Sequence, residues 1–226
     1  MNYPKHIAII PDGNRTRAKE NKKTSFQGHQ EYNRAIELAE YLIKNTSVNI
    51  LTYWLSTENT LKRGDDELEL YVLFQLVTER LRKTLKENRI NLRWIGKSEH
   101  LPEDLVSFFQ KTENEFNYSE KYLCIAINYG RDEIIRIKSR SETNGNIGEL
   151  TEESFSEHLD FSGLPAVDLV IRTKGKKASR ISFMLWRIGY AELFFSPLYF
   201  PDFSTEKLDE ALERFHERVE YRNFGK

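Results

Sequence analysis

Short, nearly continuous apolar runs alternate along this chain with longer stretches in which apolar residues recur every third or fourth position. The runs His6–Ile10, Asn49–Ser56, Asn91–Ile95, Tyr122–Tyr129, Asp168–Thr173 and Glu192–Phe195 are β-branched and aromatic. Such runs mark strands covered on both faces, as in a parallel sheet. Helical patterns lie between them. Glu31–Asn45 places Ala35, Leu38, Ala39 and Leu42 on one face, and Glu103–Phe116 does the same with Leu105, Val106, Phe109 and Phe116. Glu206–Arg222 aligns Leu208, Ala211, Leu212, Phe215 and Val219 behind Pro201. Strands and helices in alternation predict βαβ units and an α/β fold. No internal repeat or low-complexity tract interrupts them, and Ser141–Glu149, rich in Ser, Asn and Gly, reads as a surface loop. The expectation is a single domain over residues 1–226.

One helical pattern departs from ordinary amphipathicity. From Leu68 to Leu85, and above all over Leu70–Val77, it is apolar almost all round. A helix of that kind is buried on more than one side. It is either a central core or dimer helix, or a helix with one face on the sheet and another lining a channel for a greasy ligand.

Composition narrows the class. Lys plus Arg number 34 against 35 Asp plus Glu, a net charge of −1, so nothing pulls the chain globally toward nucleic acid. Any anion site must be local. The single cysteine, Cys124, sits within an apolar run and reads as a buried small hydrophobe, compatible with a reducing cytosol. No run approaches the ~18 apolar residues of a membrane span, and Met1-Asn-Tyr-Pro leads into a strand without a signal-peptide pattern. A cytoplasmic protein is expected.

The candidate chemistry lies at the ends of the predicted strands. His6-Ile-Ala-Ile-Ile-Pro-Asp-Gly-Asn14, Leu55-Ser-Thr-Glu-Asn59, Leu169-Val-Ile-Arg-Thr173 and Tyr190-Ala-Glu-Leu-Phe-Phe195 each join an apolar run to polar groups. In an open α/β sheet the ligand crevice lies outside the carboxyl ends of the strands. Asp12, Arg172 and Glu192 converging there would suit a metal-bound diphosphate. After Asp12-Gly13-Asn14, Arg15, Arg17, Lys19, Lys22 and Lys23 form a basic loop, and Gly28-His29 opens the next helix, a natural phosphate cradle. Asp65-Asp66-Glu67-Leu68-Glu69 occurs once and reads as acids favoured at a helix start.

These segments, together with Ile127-Asn-Tyr-Gly-Arg131 and Phe200-Pro-Asp-Phe203, follow one another in an order that resembles the cis-prenyltransferases, the undecaprenyl diphosphate synthase family. The resemblance runs through nearly the whole chain. It implies a six-stranded, mostly parallel sheet flanked by helices, a hydrophobic tunnel, a homodimer, and Mg²⁺-dependent condensation of isopentenyl diphosphate with an allylic diphosphate into Z-configured polyprenyl diphosphates. By similarity, Asp12 and Glu192 would hold the metal. Gly13, Asn14, Arg15, Arg17 and His29 would bind the allylic diphosphate side, and Arg172, Arg180 and Ser182 the isopentenyl diphosphate. Ser56, Thr57, Glu58 and Asn59 match the Ser-x-Glu-Asn segment near the transferred proton, with Lys62 adding charge behind it. Asn59 is a poor base, so it would orient water or the diphosphate that accepts the proton.

Departures from the family pattern gather around the diphosphates. Arg15-Thr16-Arg17 stands where glycine–arginine–tryptophan is usual, Ser25 replaces an arginine before Gly28-His29, and Thr60-Leu61-Lys62-Arg63 replaces tryptophan–asparagine–arginine–proline. The loop from Arg172 to Arg180 is long, and Arg222-Asn-Phe-Gly225 resembles the tail that reaches a partner's site. Local basicity persists through Lys62, Arg63, Lys174, Lys176 and Lys177. Trp54 takes a place where the family presents a small residue to the tunnel. With Tyr71 and Phe74 it would plug the passage and give a short-chain product; the alternative is that Trp54 packs into the core away from the tunnel. Irregular, branched coupling and a non-catalytic partner subunit are the alternatives; retention of Asp12 and Glu192 argues against the latter. A peripheral membrane contact during product release is left open.

Overall fold

A computed structural model describes residues 2–24, 33–55, 66–118, 120–130, 132–137, 151–174 and 183–220, without the side chains of residues 66–74. In chain order the elements are β1 (His6–Ile10), α1 (Asn14–Glu20), α2 (Asn33–Asn45), β2 (Ile50–Trp54), α3 (Asp66–Glu87), β3 (Ile90–Ile95), α4 (Glu103–Glu115), β4 (Lys121–Ala126), α5 (Glu152–Glu157), β5 (Leu169–Arg172), β6 (Glu192–Phe195) and α6 (Thr205–Glu220). A single 3₁₀ turn, Phe200–Asp202, precedes α6. All six expected strands form one sheet in the order β3-β4-β2-β1-β5-β6, and every neighbouring pair is parallel. Residues 14–20, read from sequence as a basic loop, form α1 instead; Ala18 is buried and anchors it.

Alternation along each strand splits the core into two layers. Ile7, Ile9, Leu51, Tyr53, Leu123 and Ile171 face the layer closed by α2, α3, α4 and α6. Ala8, Ile10, Ile50, Cys124, Ala126 and Val170 face a second layer closed by Tyr129, Phe161, Leu164, Phe183 and Met184. That second layer lies under irregular chain, whose backbone carbonyls need donors. Arg187 supplies them, donating to the carbonyls of Leu164 at 2.9 Å and Phe161 at 3.1 Å.

His6 is buried in this second layer. Its Nδ1 lies 3.0 Å from the Pro165 carbonyl and its Nε2 2.8 Å from Thr52 Oγ1. Burial pushes its pKa down to about 4, so the folded ring is neutral. In an unfolded chain it titrates near the ordinary 6.5. Between those values the unfolded state holds the extra proton, so this stability is complete above pH 6.5 and is lost as pH falls toward 4. The shift corresponds to at most roughly 3 kcal/mol. Melting curves at pH 7 and pH 4.5 should therefore show a larger drop for the parent than for His6→Gln.

Cys124 is fully buried beside Thr52, and desolvation raises its thiol pKa to about 12. It behaves as the small hydrophobe its surroundings suggest.

Candidate active site

The carboxyl ends of β1 and β5 lie side by side, but the chain leaves them in opposite directions. From β1 it passes through α1 and α2 to β2 on one flank; from β5 it passes to β6 on the other. That divergence is the topological switch point at which α/β sheets open a ligand crevice. Asp12 stands two residues beyond β1, and Arg172 ends β5, paired in register with Ile10.

Their side chains meet. Arg172 Nη2 donates to Asp12 Oδ2 at 2.9 Å, and Lys174 Nζ lies 3.6 Å from the same oxygen. The backbone beneath them is fixed by Thr173, a fully buried residue. Its Oγ1 accepts from the Asp12 N–H at 2.9 Å and donates to the Asp12 carbonyl at 2.8 Å. Phe200 N–H donates to that carbonyl at 3.1 Å, tying in the turn before α6.

Gly13 caps α1 at φ 104°, a conformation L-residues rarely adopt. A Cβ there would stand 2.5 Å from Tyr199 Cδ1, so the close approach also demands glycine. Asn14 is buried and donates through Nδ2 to the Pro11 carbonyl at 3.1 Å, bracing the loop. The N–H groups of the first turn of α1, Asn14 to Thr16, have no partner within the helix. Arg15 is exposed.

Arg17 is tied to the turn before α6. Its Nε donates to both Asp202 oxygens, at 2.8 and 2.9 Å, holding α1 to the 3₁₀ turn. Tyr199 adds a second tie by donating its hydroxyl to Glu20 Oε1 at 2.8 Å.

Glu192 stands apart from this cluster. It opens β6 in register with Leu169, whereas Arg172 pairs with Phe195. Three ladder positions separate the two, about 10 Å along the strand. Within one chain Glu192 therefore does not join Asp12; its carboxylate takes Arg218 Nη1 from α6 at 3.2 Å. A short apolar run had placed the acid beside a strand without saying at which end.

Among the described residues the helix-covered layer holds small apolar cavities. One is lined by Ala35, Tyr53, Leu55, Val77, Leu81 and Ile125, and a second, nearer the strand N-termini, by Leu42, Val48, Leu51 and Ile90; both touch Leu123. Each offers about 20 Å³ to a water-sized molecule. The first adjoins the site through Tyr53, whose ring meets Phe200 edge-on at 6.4 Å. Trp54 is not in that wall. It projects into the opposite layer, stacks on Phe183 at 4.9 Å and donates Nε1 to the Tyr129 carbonyl at 3.2 Å. Adjacent strand residues point to opposite faces, so the sheet itself parts Trp54 from the cavity and the plug reading fails.

Asn59, His29, Ser56, Thr57, Glu58, Lys62, Arg180 and Ser182 lie outside the described residues, as do Ser25, Arg63, Lys176, Lys177, the linker 141–149, the tail from 222 and the side chains of Tyr71 and Phe74. Thr173, Asp202 and Tyr199 were not expected at the site. A hydroxyl directly after the strand-ending arginine was the available signal for Thr173.

The donor set suits a magnesium diphosphate. Asp12 is one-third exposed and engages described residues only through Oδ2, leaving a hard oxygen for a cation that favours one or two carboxylates plus phosphate. Arg172 Nε is buried without a hydrogen-bond partner among the described residues, a donor suited to a phosphate oxygen.

A parallel α/β sheet with an acid–arginine pair at its switch point and apolar space behind places the chain among α/β proteins with a crevice suited to an anionic ligand. Residues 10–225 match the family model for undecaprenyl diphosphate synthase. An isoprenyl transferase of Fusobacterium nucleatum subsp. nucleatum is 38% identical over 228 residues, covering 99% of this chain and 96% of that protein. The farnesyl-diphosphate-specific ditrans,polycis-undecaprenyl-diphosphate synthase of Buchnera aphidicola subsp. Schizaphis graminum is 36% identical, covering 98% and 91%. Lavandulyl diphosphate synthase from Lavandula x intermedia, solved with dimethylallyl diphosphate, overlays with a TM-score of 0.87 at 28% identity over 99% of both chains. The chain belongs to the undecaprenyl diphosphate synthase family and is an isoprenyl transferase.

Proposed function

We propose that this chain, acting as one domain over residues 1–226, condenses isopentenyl diphosphate with an allylic diphosphate to extend a Z-configured polyprenyl diphosphate. The observation that carries the reading is the Asp12–Arg172 pair at the switch point, with apolar space one residue layer away. Breaking the allylic carbon–oxygen bond leaves positive charge on carbon and negative charge on the departing diphosphate. Asp12 would hold Mg²⁺, which neutralises charge on the leaving group when bound. Arg172 binds phosphate oxygens through its planar fork and orients the Asp12 carboxylate. First-turn amides of α1 and the Gly13 backbone supply donors to the allylic diphosphate. Arg15, His29, Lys62, Arg180 and Ser182 complete the anion set by family similarity, and Ser56, Thr57, Glu58 and Asn59 serve the proton removed from isopentenyl diphosphate. The growing tail enters the apolar space between α2 and α3, where Ala35, Val77 and Leu81 line a cavity.

A cytoplasmic homodimer completes the reading. In the edge strand β6, Leu193 and Phe195 are exposed while Phe194 is buried, and Tyr190 just before it is 85% exposed. An apolar sheet edge of this kind needs a partner, and a second copy supplies one. Glu192 lies on that edge, so any share it takes in metal binding would be in a site other than its own chain's. None of the described helices is long and apolar enough to cross a membrane, and any membrane contact would be peripheral.

The test is incubation of the purified protein with Mg²⁺, isopentenyl diphosphate and dimethylallyl, geranyl or farnesyl diphosphate in turn, with chromatography of the dephosphorylated products. A ladder of Z-prenols is expected; no product with any primer would overturn the reading. The overlay on lavandulyl diphosphate synthase favours one second reading, irregular coupling. A branched product from dimethylallyl diphosphate alone would establish it.

A further inference from the structure

Lys174 combines a strained backbone with a charge held against the central acid. Its φ is 150°, a region that residues with a Cβ rarely occupy. Two restraints hold the chain leading into it. Thr173 before it is locked to Asp12 by its hydroxyl, and the Lys174 N–H donates to the Leu198 carbonyl at 3.0 Å. Glycine would sit there without strain, yet the chain carries a lysine. Conformations of this kind persist where the surroundings over-determine them, commonly at ligand clamps.

The side chain gives the strain a purpose. Its ammonium lies 3.6 Å from Asp12 Oδ2, the oxygen that already takes Arg172 at 2.9 Å. Two cations thus share one carboxylate oxygen. They are not equivalent: the Arg172 side chain is 17% exposed and fixed in its pocket, whereas that of Lys174 is 43% exposed on a flexible stem. When a magnesium diphosphate claims Asp12, an ammonium left beside a dication would be repelled, and the nearest new anion is the diphosphate itself.

We propose that Lys174 is a diphosphate-binding residue, held on Asp12 in the free protein and transferred to a phosphate oxygen when substrate arrives. The inference rests on the site reading given above. It assigns this chain a further cation where arginine is displaced from position 16 to Arg15 and Arg17 and replaced at position 25 by serine.

Calorimetric titration of the full-length protein with inorganic pyrophosphate, with and without Mg²⁺ and at low ionic strength, tests it directly. Lys174→Met and Lys174→Gly should weaken pyrophosphate binding about tenfold, Lys174→Arg should stay within about threefold of the parent, and Lys207→Met, a remote surface change, should leave binding unchanged. Lys174→Gly should also melt above Lys174→Met, because both lose the charge and glycine alone relieves the backbone. Parent-like binding by the Met and Gly variants, with Arg172→Ala weakened, would overturn the role of Lys174 and leave the site standing. Parent-like binding by Arg172→Ala as well would overturn the site and this inference together. Lys174→Gly melting below Lys174→Met would overturn the strain argument on which the assignment depends.

Discussion

Asp12→Ala is expected to lower kcat on the order of a hundred- to a thousandfold while the melting temperature shifts by only a few degrees. The carboxylate is partly exposed, so deleting it removes little buried contact. What it removes is the hard oxygen on which the metal would sit and the anion that orients Arg172 and Lys174. Asp12→Asn separates the two roles: it keeps the shape and an acceptor for Arg172 but discards the charge. Pyrophosphate release should fall nearly as far in the asparagine variant as in the alanine one. Either variant retaining a tenth of the parental rate would remove Asp12 from the chemistry.

Gly96→Ala should destabilise the fold by at least about 3 kcal/mol, read from the urea midpoint. Gly96 follows β3 at φ 128°, already unfavourable for any residue with a side chain. Its added Cβ would fall inside the Ile127 carbonyl oxygen and 3.0 Å from Ile127 C, so backbone rather than a yielding side chain must shift. The neighbouring Asn128, also at positive φ, holds the next loop by donating to the carbonyls of Glu99 at 2.9 Å and Lys97 at 3.3 Å. Displacing Ile127 therefore disturbs the ends of both β3 and β4. Gly189→Ala is the control, since a Cβ there meets nothing within 4 Å and it has no such backbone constraint. Equal midpoints for the two variants would defeat the argument.

How far the sequence alone reached depends on the scale of the feature. The central strands β1, β2, β4 and β5 were legible because both faces are largely covered, and the edge strand β6 because its apolar run stays unbroken although Leu193 and Phe195 are exposed. Helices α2, α4 and α6 were legible for the complementary reason, each burying one stripe, as with Leu208, Ala211, Leu212 and Phe215. α1 was hidden because its seven residues bury only Asn14 and Ala18, too few for a period to show. Asp12 and Arg172 could be brought together because each directly follows or ends its strand. Glu192 could not, because ladder register is set by packing across the sheet and not by the acid's own neighbours. Trp54 failed for a similar reason: a shift of one residue exchanges the faces, and family likeness alone did not say which face held the apolar cavity. Lys174 was legible only as one of several local basic residues, since its strain belongs to the backbone.

The doubly bonded hydroxyl of Thr173 has a kinetic corollary. It fastens the carboxyl ends of β1 and β5 into one jaw, which Phe200 joins to the apolar layer. Each added isoprene unit asks the lipid side for more room but asks the jaw for the same geometry. Separating the part that swells from the part that reacts lets every round of growth meet an unaltered reaction centre.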